Sequence, residues 1–371
     1  MKISVPTEVK NREYRVAITP VGVHELVQHG HEVFVQAGAG AGSSITDEEY
    51  AAQGATILPD AEQTWQAGEM VMKVKEPVEA EYGFLRDDLV LFTYLHLAAN
   101  RPQTDALLAA GTTAIAYETV QSANGALPLL YPMSEVAGCL APQVGAAQLM
   151  KAAGGRGVLL GGVGGVQQAK VVILGAGVAG QNAAQISMGM GADVTMLDVD
   201  LEKLRHAYWR YGNKVHALAS SSLAVRQHVC EADLVIGTVL VPGARAPKLV
   251  TNEMVAQMKP GSVLVDVAID QGGCFEDSRP TTHDDPTFGV HHSIFYCVAN
   301  MPGAVPNTST WALTNSTLPY AVQLADKGWQ RACRENVALA KGVNTTDGKL
   351  ATPGVAEAFD LPLSQLEDVL G

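Results

Sequence analysis

The stretch from Lys170 to Asp198 constrains this chain most. Val171-Val172-Ile173-Leu174 reads as an apolar strand and Gly175-Ala176-Gly177-Val178-Ala179-Gly180 as a glycine-rich turn. The small residues from Gln181 to about Met190 read as a helix, and Val194-Thr195-Met196-Leu197 as a second strand closing on Asp198. That order is half of a dinucleotide-binding fold. Gly175 permits the tight strand-to-helix turn, Gly177 lets the backbone approach a pyrophosphate, and Gly180 lets the helix pack closely on the strand, leaving the helix N-terminus to hold phosphate charge. Asp198 follows Gly180 by 18 residues, where a carboxylate can accept both hydroxyls of an adenosine ribose and would repel a 2′-phosphate. NAD is therefore expected rather than NADP. A glycine turn that serves only close packing is the alternative reading.

A chain of 371 residues exceeds the usual single domain, so two domains with separate cores are expected. The net charge of −13 argues against nucleic acid or an anionic membrane as partner, since either needs a basic footprint. Any anionic substrate must then be held by locally placed cations. Cys139, Cys230, Cys274, Cys297 and Cys333 are scattered and form no CxxC pair, which indicates neither a disulfide framework nor a zinc site. No apolar run approaches the ~20 residues needed to span a bilayer, and Met1-Lys2-Ile3-Ser4-Val5 reads as a strand rather than a signal peptide. A cytoplasmic protein is expected.

Taken in order, Ile3–Val5 is a short strand, and the segment Pro6–Val16 is too polar for core and reads as a loop at that strand's carboxyl end. Thr19-Pro20 opens a helix that Gly30 ends, and Thr46 with Glu49 has capping-box spacing. Met70–Lys75, Leu89–Leu95 and Ala114–Tyr117 read as strands. Arg15, Lys75, His96 and Glu118 all fall at or just past strand ends, where ligands sit in a doubly wound parallel sheet. Ser134 has capping character before a helix from Ala141 to Met150, and Gly154–Gly165 reads as a flexible connection. Ala232–Leu240, Ser262–Asp270 and Ile294–Val298 look like further parallel strands, with Leu240, Asp270 and Asn300 at their ends. The tail from about Thr308 reads as helical and is long enough to return to the first domain.

A bound nicotinamide needs a carbon that exchanges hydride, a group that moves the accompanying proton, and something to orient the substrate. Arg15 can grip a carboxylate in a bidentate fork and Lys75 can add a point charge. His96 suits acid–base work near neutrality, and Asp270 could orient a water or stabilise a cationic intermediate. Each has a structural alternative: a surface ion pair for Arg15, a solvated edge charge for Lys75 or Lys73, a satisfied core histidine for His96, and turn capping for Asp270 and Glu118.

These residues together resemble the alanine dehydrogenases, which are related to the nucleotide-binding subunit of proton-translocating transhydrogenases. The resemblance rests on Pro6-Thr7-Glu8, Glu13-Tyr14-Arg15-Val16-Ala17, Lys73-Val74-Lys75-Glu76-Pro77, Leu95-His96-Leu97-Ala98 and Tyr117-Glu118-Thr119. It extends through Pro132-Met133-Ser134-Glu135-Val136-Ala137-Gly138, Asp266-Val267-Ala268-Ile269-Asp270-Gln271-Gly272-Gly273 and Val298-Ala299-Asn300-Met301-Pro302. It implies NAD-dependent oxidative deamination of L-alanine to pyruvate and ammonium, reversible by reductive amination. In it Arg15 binds the substrate carboxylate, Lys75 contacts the carboxylate and keto oxygen, His96 is the acid–base group and Asp270 assists at the carbinolamine and imine stage. Cofactor contacts are implied for Ser134, Gly175, Gly177, Val178, Ala179, Gly180, Asp198, Lys203, Ser220, Val239, Leu240, Val267, Ala268, Ile269, Asp270, Arg279, Val298, Ala299, Asn300 and Met301.

The fold implied is α/β, with two doubly wound parallel-sheet (Rossmann-like) domains, the first discontinuous. Residues 1–128 plus 307–371 would form the substrate domain and 129–306 the NAD-binding domain, in a homohexamer. Cys139 and Pro142 depart from the usual pattern after Ser134, and Gly164 replaces a frequent proline. Gln323 and Lys327 stand where some relatives carry a metal-ligand pair, so no metal is expected. The other readings are a transhydrogenase subunit, which needs no small substrate, and a nonenzymatic NADH-binding module, which needs no charged rim.

Overall fold

The computed structural model describes residues 1–239 and 246–370. The chain divides into two compact units, Met1–Met133 with Val305–Gly371, and Ser134–Ala304. The first unit opens with strands β1 (Lys2–Val5), β2 (Glu32–Gln36), β3 (Thr56–Leu58), β4 (Met70–Met72), β5 (Val90–Thr93) and β6 (Thr113–Ala116). The second holds β7 (Lys170–Leu174), β8 (Asp193–Asp198), β9 (Val215–Ala219), β10 (Leu234–Gly237), β11 (Val263–Asp266), β12 (Thr287–Val290) and β13 (Ser293–Tyr296). The chain then adds β14 (Val343–Thr346) and β15 (Lys349–Leu350) to the first sheet.

The first sheet runs β15-β14-β6-β5-β4-β1-β2-β3, with β1 to β6 parallel. The chain winds outward from β1 through β2 and β3, then returns to the other side at β4. That reversal leaves a crevice beyond the carboxyl ends of β1 and β4. Every residue of β4, β5 and β6 is buried, as expected for strands covered on both faces. Thr19 caps the helix Pro20–Gln28, and Thr46 with Glu49 forms a complete capping box before Asp47–Ala52.

The second sheet runs β12-β13-β11-β10-β7-β8-β9. All its neighbours pair in parallel except β12, which folds back on β13 as a hairpin. Its reversal lies between β7 and β10. Both sheets are thus mostly parallel, with antiparallel strands confined to an edge, since a hairpin needs only a short turn where a parallel crossover needs a helix.

Three expectations need correction. The tail is not helical throughout: after the helix Pro306–Lys327 come β14 and β15, antiparallel and joined at Asp347-Gly348, both at positive φ. Asp-Gly between residues of high strand preference is a hairpin signal. The helix expected from Ala141 begins at Tyr131 and runs to Gln148, so Ser134 lies inside it rather than capping it. Finally, β11 ends at Asp266, and Asp270 sits in a short 3-10 turn, Ile269–Gln271.

Candidate active site

In the second unit the three glycines of the turn act for three separate reasons. Gly175 has φ +108°, and a Cβ there would meet the Thr238 hydroxyl at 2.8 Å. A Cβ on Gly180 would lie 1.9 Å from the Gly175 carbonyl oxygen, so only glycine lets helix Val178–Gly189 sit against β7. A Cβ on Gly177 would meet nothing within 4 Å; the space over it is open. The helix has no side-chain cap at Gly177, which leaves its first N–H groups to an anion. Asp198 ends β8 and accepts from Ala176 N at 2.6 Å and Asp200 N at 2.8 Å. Each carboxylate oxygen retains a second lone pair for a ribose hydroxyl. A dinucleotide fits this cradle.

Around it, Lys203 lies 3.8 Å from Asp200 in the helix after β8. Ser220 follows β9 and donates its N–H to the Asp198 carbonyl at 2.8 Å. Val239 follows β10, while Leu240 lies outside the described residues. Val267, Ala268, Ile269 and the exposed Asp270 follow β11. The exposed Arg279 packs its guanidinium 4.2 Å from the Phe288 ring centroid. Past β13, Val298 and Ala299 lead to Asn300 at φ +61° and to Met301. Ser134 is half-buried, one turn before Gly138, where a Cβ would come 2.2 Å from the Ala179 carbonyl oxygen.

Gly138 and Asp266 carry structure that the sequence reading missed. The buried Asp266 accepts from Ala268 N at 3.0 Å, Cys274 N at 2.9 Å and the Ser278 hydroxyl at 2.5 Å, so it shapes the loop that presents Asp270. Burial pushes its carboxyl above the ordinary range, against those hydrogen bonds.

In the first unit the reversal between β1 and β4 gathers the cations. His96 follows β5 in the left-handed region, φ 51° and ψ 36°. That conformation is costly for a residue with a side chain and persists where its surroundings impose it. Here Glu118 imposes it, accepting from His96 N at 2.6 Å and Leu95 N at 3.1 Å, with its Oε1 3.9 Å from His96 Nδ1. The His96 ring stacks on Tyr94, centroids 5.8 Å apart and planes 8° apart. The ring stays 43% exposed. Lys75 is half-buried, its N–H 3.4 Å from Glu8 Oε1 and its carbonyl accepting from the Thr93 hydroxyl at 3.1 Å. Burial pushes the Glu76 carboxyl up, but a hydrogen bond from Lys10 and the charges of Lys75 and His96 outweigh it and hold it below the ordinary range.

The segment Pro6–Val16 has no regular structure, yet only part of it is solvated: Val9, Asn11, Arg12 and Tyr14 are exposed, while Pro6, Glu8, Glu13, Arg15 and Val16 are buried. Arg15 and Glu13 are each 1% exposed. Arg15 Nε donates to Glu13 Oε1 at 2.6 Å and Nη2 to Oε2 at 2.5 Å, so the fork expected to meet a substrate is taken by Glu13. Nη1 meets Met133 Sδ at 3.0 Å, a weaker acceptor than either carboxylate oxygen. Lys73 is also fully buried, 2.9 Å from Glu81 and 3.2 Å from Glu8. Burial pushes its ammonium down, and those two carboxylates more than restore it. The reading of Lys73 as a solvated edge charge is overturned, because β4 lies between β1 and β5.

Gln323 and Lys327 lie on the helix Pro306–Lys327. Gln323 donates to the Pro319 carbonyl and accepts from Asn336, and Lys327 pairs with Glu335 at 2.6 Å. Among the described residues no helix is long and apolar enough to cross a membrane.

A family model described as alanine dehydrogenase/PNT, N-terminal domain, matches residues 4–137, and its C-terminal counterpart matches residues 141–353. The alanine dehydrogenase of Mycolicibacterium smegmatis is 63% identical over 370 residues, and that of Methanococcus maripaludis is 55% identical over 371. Each alignment covers 100% of both chains. A solved L-alanine dehydrogenase structure superposes with a TM-score of 0.95 at 51% identity, covering 97% of this chain and 99% of that one. A transhydrogenase from Sinorhizobium meliloti gives 0.82 at 26% identity, covering 95% and 99%.

Proposed function

Because the chain belongs to the alanine dehydrogenase/PNT family, we propose that it oxidises L-alanine with NAD to pyruvate, ammonium and NADH, and runs the reverse amination. The observation that carries this reading is the grouping at the carboxyl ends of β1, β4 and β5: Tyr94 stacks on the exposed His96 ring and senses the charge of buried Arg15, and Glu76 senses both His96 and Lys75. A dinucleotide binder alone has no use for that grouping.

The cofactor would be held by Gly175, Gly177, Val178, Ala179, Gly180 and Asp198, with further contacts from Ser134, Lys203, Ser220, Val239, Leu240, Arg279, residues 267–270 and 298–301; when bound, NAD supplies the two-electron acceptor. The Asp198 carboxylate, already tied to the turn through Ala176, supports NAD over NADP. Lys75 meets the substrate carboxylate directly. Arg15 meets it through Nη1, in place of Met133 Sδ, while Glu13 keeps the guanidinium plane fixed. As alanine loses hydride it becomes an iminium. Water adds to that carbon, His96 takes the proton released, and ammonia leaves the carbinolamine to give pyruvate. His96 suits this work because its ring is oriented by Tyr94 and Glu118 yet open to solvent. Asp270 steadies the cationic stage. Since deamination releases a proton, it is favoured at alkaline pH.

The test is NADH appearance at alkaline pH with L-alanine, compared with serine, glycine and no substrate, and with NADP in place of NAD. Absence of alanine-dependent turnover would remove the reading. The Sinorhizobium meliloti likeness favours, as a second reading, a transhydrogenase subunit that hands hydride to a partner's NADP; Lys75, His96 and Asp270 occurring together weigh against it. The reading also carries homohexameric assembly in the cytoplasm, for which light scattering should give six times the 39.0 kDa chain mass.

A further inference from the structure

Lys73 stands two residues before Lys75, with no substrate contact assigned to it, and its setting is not that of a core residue retained for stability. A buried ammonium between two buried carboxylates is a poor way to stabilise a fold, because desolvating three charges offsets most of their attraction and well-packed apolar residues do as well. What apolar residues could not do is accept backbone hydrogen bonds. Past Met72 the chain leaves the sheet: the Lys73 N–H still bonds Phe92 of β5, but the N–H groups of Val74, Lys75 and Val78 meet carboxylates rather than a strand. Glu8 and Glu81 take them. Glu8 Oε1 accepts from Val74 N at 2.6 Å and Lys75 N at 3.4 Å, and Glu81 Oε2 accepts from Val78 N at 3.0 Å. The remaining oxygen of each carboxylate is held by the same ammonium, at 3.2 Å and 2.9 Å.

We propose that Lys73 is a positioning residue for substrate recognition: by tying Glu8 to Glu81 it fastens the loop of residues 74–78 at both ends and sets where Lys75 presents its charge. This rests on the reading of Lys75 as a substrate-binding residue. The carboxylates come from sequence positions 8 and 81, so the loop after β4 is registered against the segments after β1 and before β5. The Lys73 N–H bonds the Phe92 carbonyl at 3.2 Å and Thr93 holds the Lys75 carbonyl, which fixes the third side. Displacing a binding group by about 1 Å can cost on the order of a hundredfold in rate, so a clamp that leaves the chemistry untouched still governs recognition.

The experiment is steady-state amination by the full-length protein and its Lys73→Met variant, with pyruvate, ammonium and NADH varied separately and NADH binding followed by fluorescence. Wild-type turnover with pyruvate tests the underlying reading; the variant tests the clamp. Lys73→Met should raise KM for pyruvate about tenfold, while KM for ammonium and the NADH dissociation constant stay within about twofold of wild type. A lower turnover number at an unchanged pyruvate KM would mean that Lys73 serves only the fold, and would overturn the proposal. Should Lys73→Met not fold, Glu81→Gln takes its place, keeping the Lys73–Glu8 pair and an acceptor for Val78. It should raise the pyruvate KM about threefold, and a wild-type KM would again overturn the clamp.

Discussion

Under the proposed function the two sheets meet their ligands by opposite means. In the second unit the turn after β7 is shaped by side chains that are missing, since a methyl group on Gly180 would stand 1.9 Å from a carbonyl oxygen. In the first unit the crevice after β1 and β4 is shaped by charged side chains buried as if they were core, with Arg15, Glu13 and Lys73 at or near complete burial. A polyanion can be gripped by bare backbone, because peptide N–H groups at a helix end are fixed donors. A three-carbon acid offers too few atoms for that. It needs point charges at set positions, and those must themselves be held.

The contrast can be broken by mutation. Gly180→Ala should have the largest effect, abolishing measurable NADH binding and costing about 3 kcal/mol of stability as the helix is forced off β7. A variant that binds NADH normally would mean that the turn is not the cradle. His96→Ala should cut turnover by about a thousandfold while NADH fluorescence titrations stay near wild type, which separates the two regions. Retained turnover would exclude His96 as the essential acid–base group.

Glu13→Gln sharpens the comparison, because it removes the carboxylate charge that is hydrogen-bonded to buried Arg15 and should destabilise the protein by about 3 kcal/mol in urea melts. The smallest effect is expected at Glu76. Its carboxyl is held below the ordinary range, so it contributes stability above that range and loses it as pH falls through the lowered value. Glu76→Gln should cost about 1 kcal/mol or less at neutral pH, and its gap from wild type in melts at decreasing pH should close on the acid side. A gap that widens would reverse the assigned sign.

The same contrast explains what could be read from sequence. Gly175 and Gly180 were legible because each answers a backbone requirement that no other residue meets, Gly177 because a pyrophosphate needs the open space over it, and Asp198 because the length of one helix sets its distance. His96 and Lys75 were legible as polar residues just past apolar runs. Glu8, Glu13, Lys73 and Glu81 were not. A stretch such as Lys73-Val74-Lys75-Glu76 looks the same whether solvated or sealed, and only the pairing of residue 73 with residues 8 and 81 decides which. The strands β14 and β15 were hidden for another reason: the helical pattern before them was extended past Asp347-Gly348, whose turn chemistry points the other way.

The central claim is that Arg15, Lys75 and His96 form one substrate pocket, and a crystal structure grown with NADH and pyruvate tests it most directly. Pyruvate should lie with its carboxylate on Lys75 and on Arg15 Nη1, Glu13 still holding the other edge of that guanidinium, and with its keto oxygen within hydrogen-bond reach of His96. Pyruvate bound away from these three side chains, or displacing Glu13 from Arg15, would contradict the account.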